Sequence, residues 1–333
     1  MRASYRVEPC RTALNRVTGM GFRWSLNPYT GCAHRCAFCY VRGFERRADR
    51  PSDERYGTSV RVKVNIVDVL RAELARRSWR RETVAIGAAT DPYQPAEGRY
   101  RLTRGCIEAL AAARTPIDLI TRGPLVVRDV DVLAEASLRA EVRVSVSIAT
   151  LDESLAARLE PGVAAPRQRL RAIRLLTDAG VAAGVALAPV LPGLTDAPRD
   201  LAAVLAAARA AGATHAWSNV LNLRAGTREH FLEVLEREWP DELARYRRLY
   251  PADGSGYLPQ AAARPIEARL AAVRRGSGIG DRRRIRLLPP PRPEQLPLPF
   301  DGSSAGGSGS RGGLPVGLGL RQRGLVDHEA SQQ

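Results

Sequence analysis

The chain has 333 residues, 44% of them hydrophobic, and a formal net charge of +16 at pH 7. That length can bury a large core, while the longest apolar runs are strand-sized, which excludes a membrane span and suggests a cytoplasmic protein. Arginine supplies nearly all the positive charge, Lys63 being the only lysine; GC-rich coding explains that choice, but the excess of basic over acidic residues favours a nucleic acid or another polyanionic partner.

Residues 1–20 show little periodicity, and residues 22–29 read as a first strand running into a cysteine-rich loop. Basic, irregular sequence continues to about Arg61. Apolar residues at Ile66, Val69, Leu70 and Leu74 then predict a helix over residues 66–77. Strand-like and helix-like stretches alternate from there: strand 84–89, helix 103–113, strand 117–121, helix 126–136, and strand 142–149, where Val142, Val144, Val146 and Ile148 alternate with polar residues. Pro166 sits where a helix can start and Gly180 where it stops. Strand 181–190, a helix capped by Thr195-Asp196-Ala197-Pro198 and ending at Gly212, strand 215–223 and helix 227–235 complete the series. The pattern weakens after Tyr250, with one more helix expected over 265–275 and a Pro/Gly/Ser-rich tail that reads as disordered.

Six strands alternating with helices imply right-handed βαβ units and a parallel sheet. Periodicity permits either a barrel or an open doubly wound sheet, and both place chemistry at the carboxyl ends of the strands. The organisation expected is an extension (1–20), a core (21–250), a helical extension (251–288) and the tail (289–333).

Three of the five cysteines fall in Gly31-Cys32-Ala33-His34-Arg35-Cys36-Ala37-Phe38-Cys39-Tyr40, a C-x3-C-x2-C run. Three thiolates can hold three corners of a four-iron cluster, which ordinarily takes four, so one iron stays open to a small chelating ligand. Structural zinc wants a fourth ligand, and His34 inside the loop is the group that could supply it. An odd cysteine count without a signal-like N-terminus argues against a disulfide framework. A thioredoxin-type pair would leave Cys32 without a role.

With Phe38 before the last cysteine and Tyr40 after it, the run resembles the radical S-adenosylmethionine (SAM) superfamily. The words Asn27-Pro28-Tyr29-Thr30-Gly31-Cys32, Thr90-Asp91-Pro92-Tyr93-Gln94-Pro95 and Ala188-Pro189-Val190-Leu191-Pro192-Gly193 resemble its spore photoproduct lyase-like branch, and the similarity spans residues 14–250. The resemblance implies a partial (β/α)6 parallel barrel and a [4Fe–4S] cluster on Cys32, Cys36 and Cys39. It also implies SAM on the open iron, a reductant such as flavodoxin or ferredoxin, and SAM cleavage to a 5'-deoxyadenosyl radical that abstracts hydrogen from a substrate. Tyr40 would contact SAM through its backbone, with Pro189 and Val190 also beside the cofactor. Arg122 after the third strand could pair with the SAM carboxylate, or be one more solvated arginine. Thr90 and Ser147 could bond the ribose or the methionine moiety, although strand-end hydroxyls also serve turns; Asp91 is a further cofactor candidate that could simply shape the turn before a proline.

The lyase carries a hydrogen-donor cysteine where this chain has Ala88-Ala89-Thr90-Asp91, so reversal of thymine dimers does not carry over. Cys106 is a weak substitute, more naturally a buried helix cysteine. In the tail, Gln295-Leu296-Pro297-Leu298-Pro299-Phe300 resembles the peptide by which bacterial DNA-processing proteins dock on the sliding clamp, with Gln295, Leu296, Leu298 and Phe300 as contacts. The leading reading is therefore a radical SAM enzyme acting on nucleic acid, in DNA maintenance. The alternatives are an RNA- or protein-modifying enzyme and a non-catalytic iron–sulfur accessory of the clamp.

Overall fold

The computed structural model describes residues 3–282 together with 287, 288 and 290, all within one compact unit. The tail positions Gln295, Leu296, Leu298 and Phe300 lie outside the described residues.

In chain order, β1 (Ser4–Glu8), β2 (Leu14–Arg16), β3 (Trp24–Leu26) and β4 (Tyr29–Thr30) lead into the cysteine loop, which is followed by α1 (Val41–Arg47), β5 (Ser59–Lys63) and α2 (Ile66–Leu74). The alternating series follows as β6 (Val84–Ile86), α3 (Pro95–Tyr100), α4 (Leu102–Ala112), β7 (Ile117–Thr121), a 3-10 turn (Pro124–Asp129), α5 (Val130–Arg139) and β8 (Val142–Ser147). It continues with α6 (Glu153–Leu159), α7 (Pro166–Asp178), β9 (Ala182–Val190), α8 (Pro198–Ala210), β10 (His215–Val220), α9 (Thr227–Glu238), α10 (Pro240–Leu249), α11 (Gln260–Ser277) and β11 (Gly280–Asp281).

Strands β3, β6, β7, β8, β9 and β10 lie side by side in chain order, every neighbouring pair parallel, with β2 antiparallel on one edge and β11 parallel on the other. A doubly wound sheet reverses its strand order at a switch point. No reversal occurs among these six, so the sheet winds one way, as a barrel does. A small second sheet, in the order β1-β5-β4, stands beside the cysteine loop.

Valines 142, 144 and 146 pack into the main hydrophobic core. The polar residues between them take the opposite face of the strand, and they are buried too, since every residue of β8 is enclosed. Their partners come from neighbouring strands. Arg143 bonds Asp118 of β7 at 2.9 Å, Arg282 pairs with the same carboxylate, and Ser145 Oγ lies 3.2 Å from His215 Nε2 of β10. Asp118, Arg143 and His215 all sit at the amino ends of their strands. This polar cluster closes the end of the barrel opposite the strand carboxyl ends.

Several local expectations need correction. Residues 1–20 contain β1 and β2, and β5 lies in the stretch read as irregular. The helix start at residue 198 is not side-chain capped: Ala197 holds the cap position, while Thr195 Oγ1 accepts from Leu191 N–H and Asp196 from Gly193 N–H, closing the preceding turn. Pro265 lies inside α11 rather than at its start, so the preceding turn forms without its N–H. No helix among the described residues is long and apolar enough to cross a membrane.

Candidate active site

The cysteine loop leaves β4 through Gly31 at φ +81°, and Arg35 also takes a left-handed conformation, at φ +53°. These reversals fold the loop back on itself, with Arg35 N–H donating to Cys32 O and Cys39 N–H to Cys36 O. Two glycines let the rest of the molecule approach its backbone. A Cβ on Gly57 would stand 2.3 Å from Cys32 O, and one on Gly162 would stand 2.5 Å from Ala33 O; real side chains tolerate no such distances.

The other supports are hydrogen bonds. Thr90 Oγ1 and Gln94 Nε2 both donate to Gly31 O, at 2.7 and 3.0 Å, and Gln94 Oε1 accepts from Ala33 N–H. Gly162 N–H donates to His34 O and Ala37 N–H to Leu159 O, tying the loop to the segment after β8. Beneath it, the buried Arg42 donates to Ser52 O and Asp53 O and lies 4.5 Å from the Tyr56 ring centre, while the Tyr56 hydroxyl is 3.3 Å from Cys39 Sγ.

Asp91 accepts from Thr121 Oγ1, Arg122 N–H and Tyr93 N–H, and its Oδ2 lies 3.4 Å from His34 Nδ1. Burial alone would raise this carboxyl, but His34 and the donors outweigh it and hold it below the usual carboxylate range. Asp91 thus joins the ends of β6 and β7 to the cysteine loop. Arg122 donates to Glu160 Oε1 at 2.8 Å and to Ala188 O at 2.7 Å, and its guanidinium lies 5.2 Å from the Phe38 ring centre. Glu160, 2% exposed, also pairs with the buried Arg169 at 2.7 Å, and Arg169 donates to Ser147 O. Burial would raise Glu160 as well; Arg169 and Arg122 hold it below its ordinary value.

Arg122, Ser147, Pro189 and Val190 therefore gather at the carboxyl ends of β7, β8 and β9, on the face that carries the cysteine loop. Tyr40 follows Cys39, and its hydroxyl donates to Ala88 O after β6. Cys106 is placed elsewhere. It is fully buried in the main core with Ile107 and Leu110, and burial pushes its thiol up.

The sequence reading gave no role to Gln94, Arg42, Tyr56, Glu160 or Arg169. Only Gln94, inside the quoted Thr90-Asp91-Pro92-Tyr93-Gln94-Pro95 word, carried a signal that could have flagged it.

Comparison with known proteins places this architecture. The model of the radical SAM superfamily matches residues 26–206. The chain belongs to the radical SAM superfamily. An uncharacterized Mycobacterium tuberculosis protein is 42% identical over 267 residues, covering 79% of this chain and 78% of that one. An uncharacterized Methanocaldococcus jannaschii protein is 25% identical over 226 residues, covering 66% and 78%. Among solved structures, spore photoproduct lyase complexed with dinucleoside spore photoproduct superposes with a TM-score of 0.63 at 17% identity, covering 83% of this chain and 80% of that one. At that identity the likeness concerns the fold.

Radical SAM membership makes the protein an enzyme and implies a four-iron cluster and SAM. The residues present fit that pair. All three loop cysteines are free thiols, and Cys32 and Cys36 are 6% and 5% exposed. Burial pushes the Cys36 and Cys39 thiols up, which a bound metal reverses, because a coordinating thiol is deprotonated outright. His34 Nδ1 is buried beside Cys32 without a well-formed hydrogen bond. Arg122 brings positive charge to Cys36.

Proposed function

We propose that Cys32, Cys36 and Cys39 hold a [4Fe–4S] cluster whose open iron takes SAM, and that the enzyme abstracts hydrogen from a nucleic-acid substrate. Bound there, cluster and cofactor would supply the one-electron reductive cleavage of SAM that radical SAM membership implies. The observation that carries this reading is the set of three free thiols on one loop, those of Cys32 and Cys36 buried and that of Cys39 half-buried, fastened to the strand ends where Arg122 stands.

The chain's own groups hold and orient. Arg122 is fixed by Glu160, Ala188 O and Phe38, so its guanidinium is preorganised to face a carboxylate. Tyr40, Ser147, Pro189 and Val190 would complete the cofactor's surroundings. Thr90 and Asp91 act beside them through the loop, Thr90 on Gly31 O and Asp91 on His34 and the Arg122 backbone. Burial of the loop excludes water and oxygen from the reactive centre.

Support for a nucleic-acid substrate comes from the net charge of +16 and from the shared fold with a lyase crystallised with a dinucleoside photoproduct. Without a thiol at residues 88–91, the lyase's return of hydrogen to its product has no counterpart there, so the reaction is a different one. A role in DNA maintenance follows if the tail peptide docks on the sliding clamp.

The test is anaerobic reconstitution followed by dithionite and SAM. Wild type should release 5'-deoxyadenosine and Cys36→Ala should not. Arg122→Ala and Ser147→Ala should weaken SAM binding, and unchanged affinity in both would remove those two assignments. Deuterium transfer into 5'-deoxyadenosine from labelled DNA, RNA and peptide panels then identifies the substrate. Transfer from peptide alone would overturn the nucleic-acid reading.

A further inference from the structure

Among the described residues, the exposed aromatic rings are Tyr40, Phe44 and Tyr257, and all three lie along one edge of the candidate active site. Tyr40 and Phe44 meet edge to face at 5.7 Å on the first turns after Cys39. Backbone contacts carry the edge across to the segment leaving β10. A Cβ on Gly43 would be 3.1 Å from Ala225 O, and one on Gly226 would be 3.1 Å from Arg46 Cβ. Leu223 N–H donates to Gly256 O, which brings Tyr257 alongside. Thr227 Oγ1 donates to Cys39 O, so this edge touches the cysteine loop itself.

Arginines interleave with the rings. Arg47 has its guanidinium carbon 4.9 Å from the Phe44 ring centre, and Arg224 lies 5.2 Å from that of Tyr257 and donates to its hydroxyl. Arg46 stands between them, about half-exposed and 3.2 Å from Glu229, the carboxylate it meets there. The edge bridges the cysteine-loop region and β10, the first and last ends of the barrel's strand series, where a large substrate can reach the strand carboxyl ends without entering the barrel.

We propose that this edge binds single-stranded nucleic acid, with unpaired bases stacking on Phe44 and Tyr257 and phosphates meeting Arg47 and Arg224. This deepens the nucleic-acid reading of the active site and rests on it. Rings stack on bases of any sequence, and arginines beside them track the backbone, which is how unpaired strands are held. A duplex hides its base faces and would offer this edge only phosphates. An acidic peptide offers charge but no series of flat faces.

The experiment is a fluorescence-anisotropy titration of the full-length reconstituted protein. The probes are a labelled twelve-nucleotide single strand, in DNA and RNA forms, the matching duplex, and an acidic peptide of equal charge. Wild type should prefer the single strand. Phe44→Ala and Tyr257→Ala should each weaken it roughly tenfold, within the range for loss of one stacked base, and Arg47→Glu and Arg224→Glu should weaken it further at low salt. Cluster content and substrate-free 5'-deoxyadenosine formation should stay unchanged in all four, which separates loss of binding from misfolding. Equal binding by a Phe44→Ala/Tyr257→Ala double variant, or preference for duplex or peptide, overturns the proposal. The first of these leaves the enzyme's reaction on nucleic acid standing, whereas failure to form 5'-deoxyadenosine sinks the catalytic reading and leaves this edge intact.

Discussion

Replacing Glu160 by glutamine preserves the shape of the site and removes one negative charge. That carboxylate is 2% exposed and faces two guanidiniums, Arg169 at 2.7 Å and Arg122 at 2.8 Å. Breaking a buried pair by deleting one partner costs about 3–5 kcal/mol, because the remaining charge is left uncompensated. Here two cations are left, one fully enclosed and one 18% exposed at its side chain, so we expect the full range rather than its lower edge. At about 2 °C per kcal/mol for a chain of this size, the melting temperature should drop by about 6–10 °C. The sign with pH is fixed. Glu160 is held below its ordinary value of 4.5 in the folded protein, so its contribution is full above pH 4.5 and is lost as pH falls through the folded-state value. Urea unfolding of anaerobic apoprotein at pH 7 should show the whole deficit of Glu160→Gln, and the two proteins should converge in acid. A deficit under about 1 kcal/mol at pH 7 would refute the view that this carboxylate neutralises both arginines.

Other expectations follow from the same geometry. Burial, reinforced by Arg143 and Arg282, lowers His215 from 6.5 to about 3. The unfolded chain therefore binds a proton that the folded one refuses, and stability should fall as pH drops from 6.5 toward 3, by up to about 1.4 kcal/mol per unit; His215→Gln should flatten that slope in pH-dependent urea melts. Gly57→Ala adds a Cβ 2.3 Å from Cys32 O at a φ of +76°. Strain and overpacking together should cost roughly 2–4 kcal/mol, with iron per chain after reconstitution falling while a Gly19→Ala control, whose Cβ meets nothing within 4 Å, keeps its iron. A peptide spanning residues 292–303 should bind purified sliding clamp better than its Leu298→Ala/Phe300→Ala form, and equal binding would end the docking idea.

The barrel strands were legible because each is a short apolar or alternating stretch between turn residues, a pattern set by its own sequence. Strand β1 and strand β5 were not, since each is a five-residue stretch mixing charged and apolar residues, and β5 is set as a strand by partners on both sides, β1 some fifty residues earlier and β4. The alternation in β8 was visible, but not what its polar residues meet. Arg143 and Ser145 are enclosed, because Asp118 and His215 arrive from neighbouring strands to satisfy them. The site divides in the same way. Cysteine spacing is local chemistry and could be read directly, and Arg122 was found by its place at a strand end. Glu160 and Arg169 have no local signature, being defined by partners that only the tertiary fold supplies. Thr195 and Asp196 looked like a helix cap because their residue types suit one, but they close the turn one step earlier.

The ion cluster formed by Asp118, Arg143 and Arg282 at the amino ends of the strands gives the barrel a floor. A vessel with a floor has one doorway. Whatever is held at the strand carboxyl ends therefore has to arrive and depart on the side where the cysteine loop stands, the ion pairs occupying the opposite end.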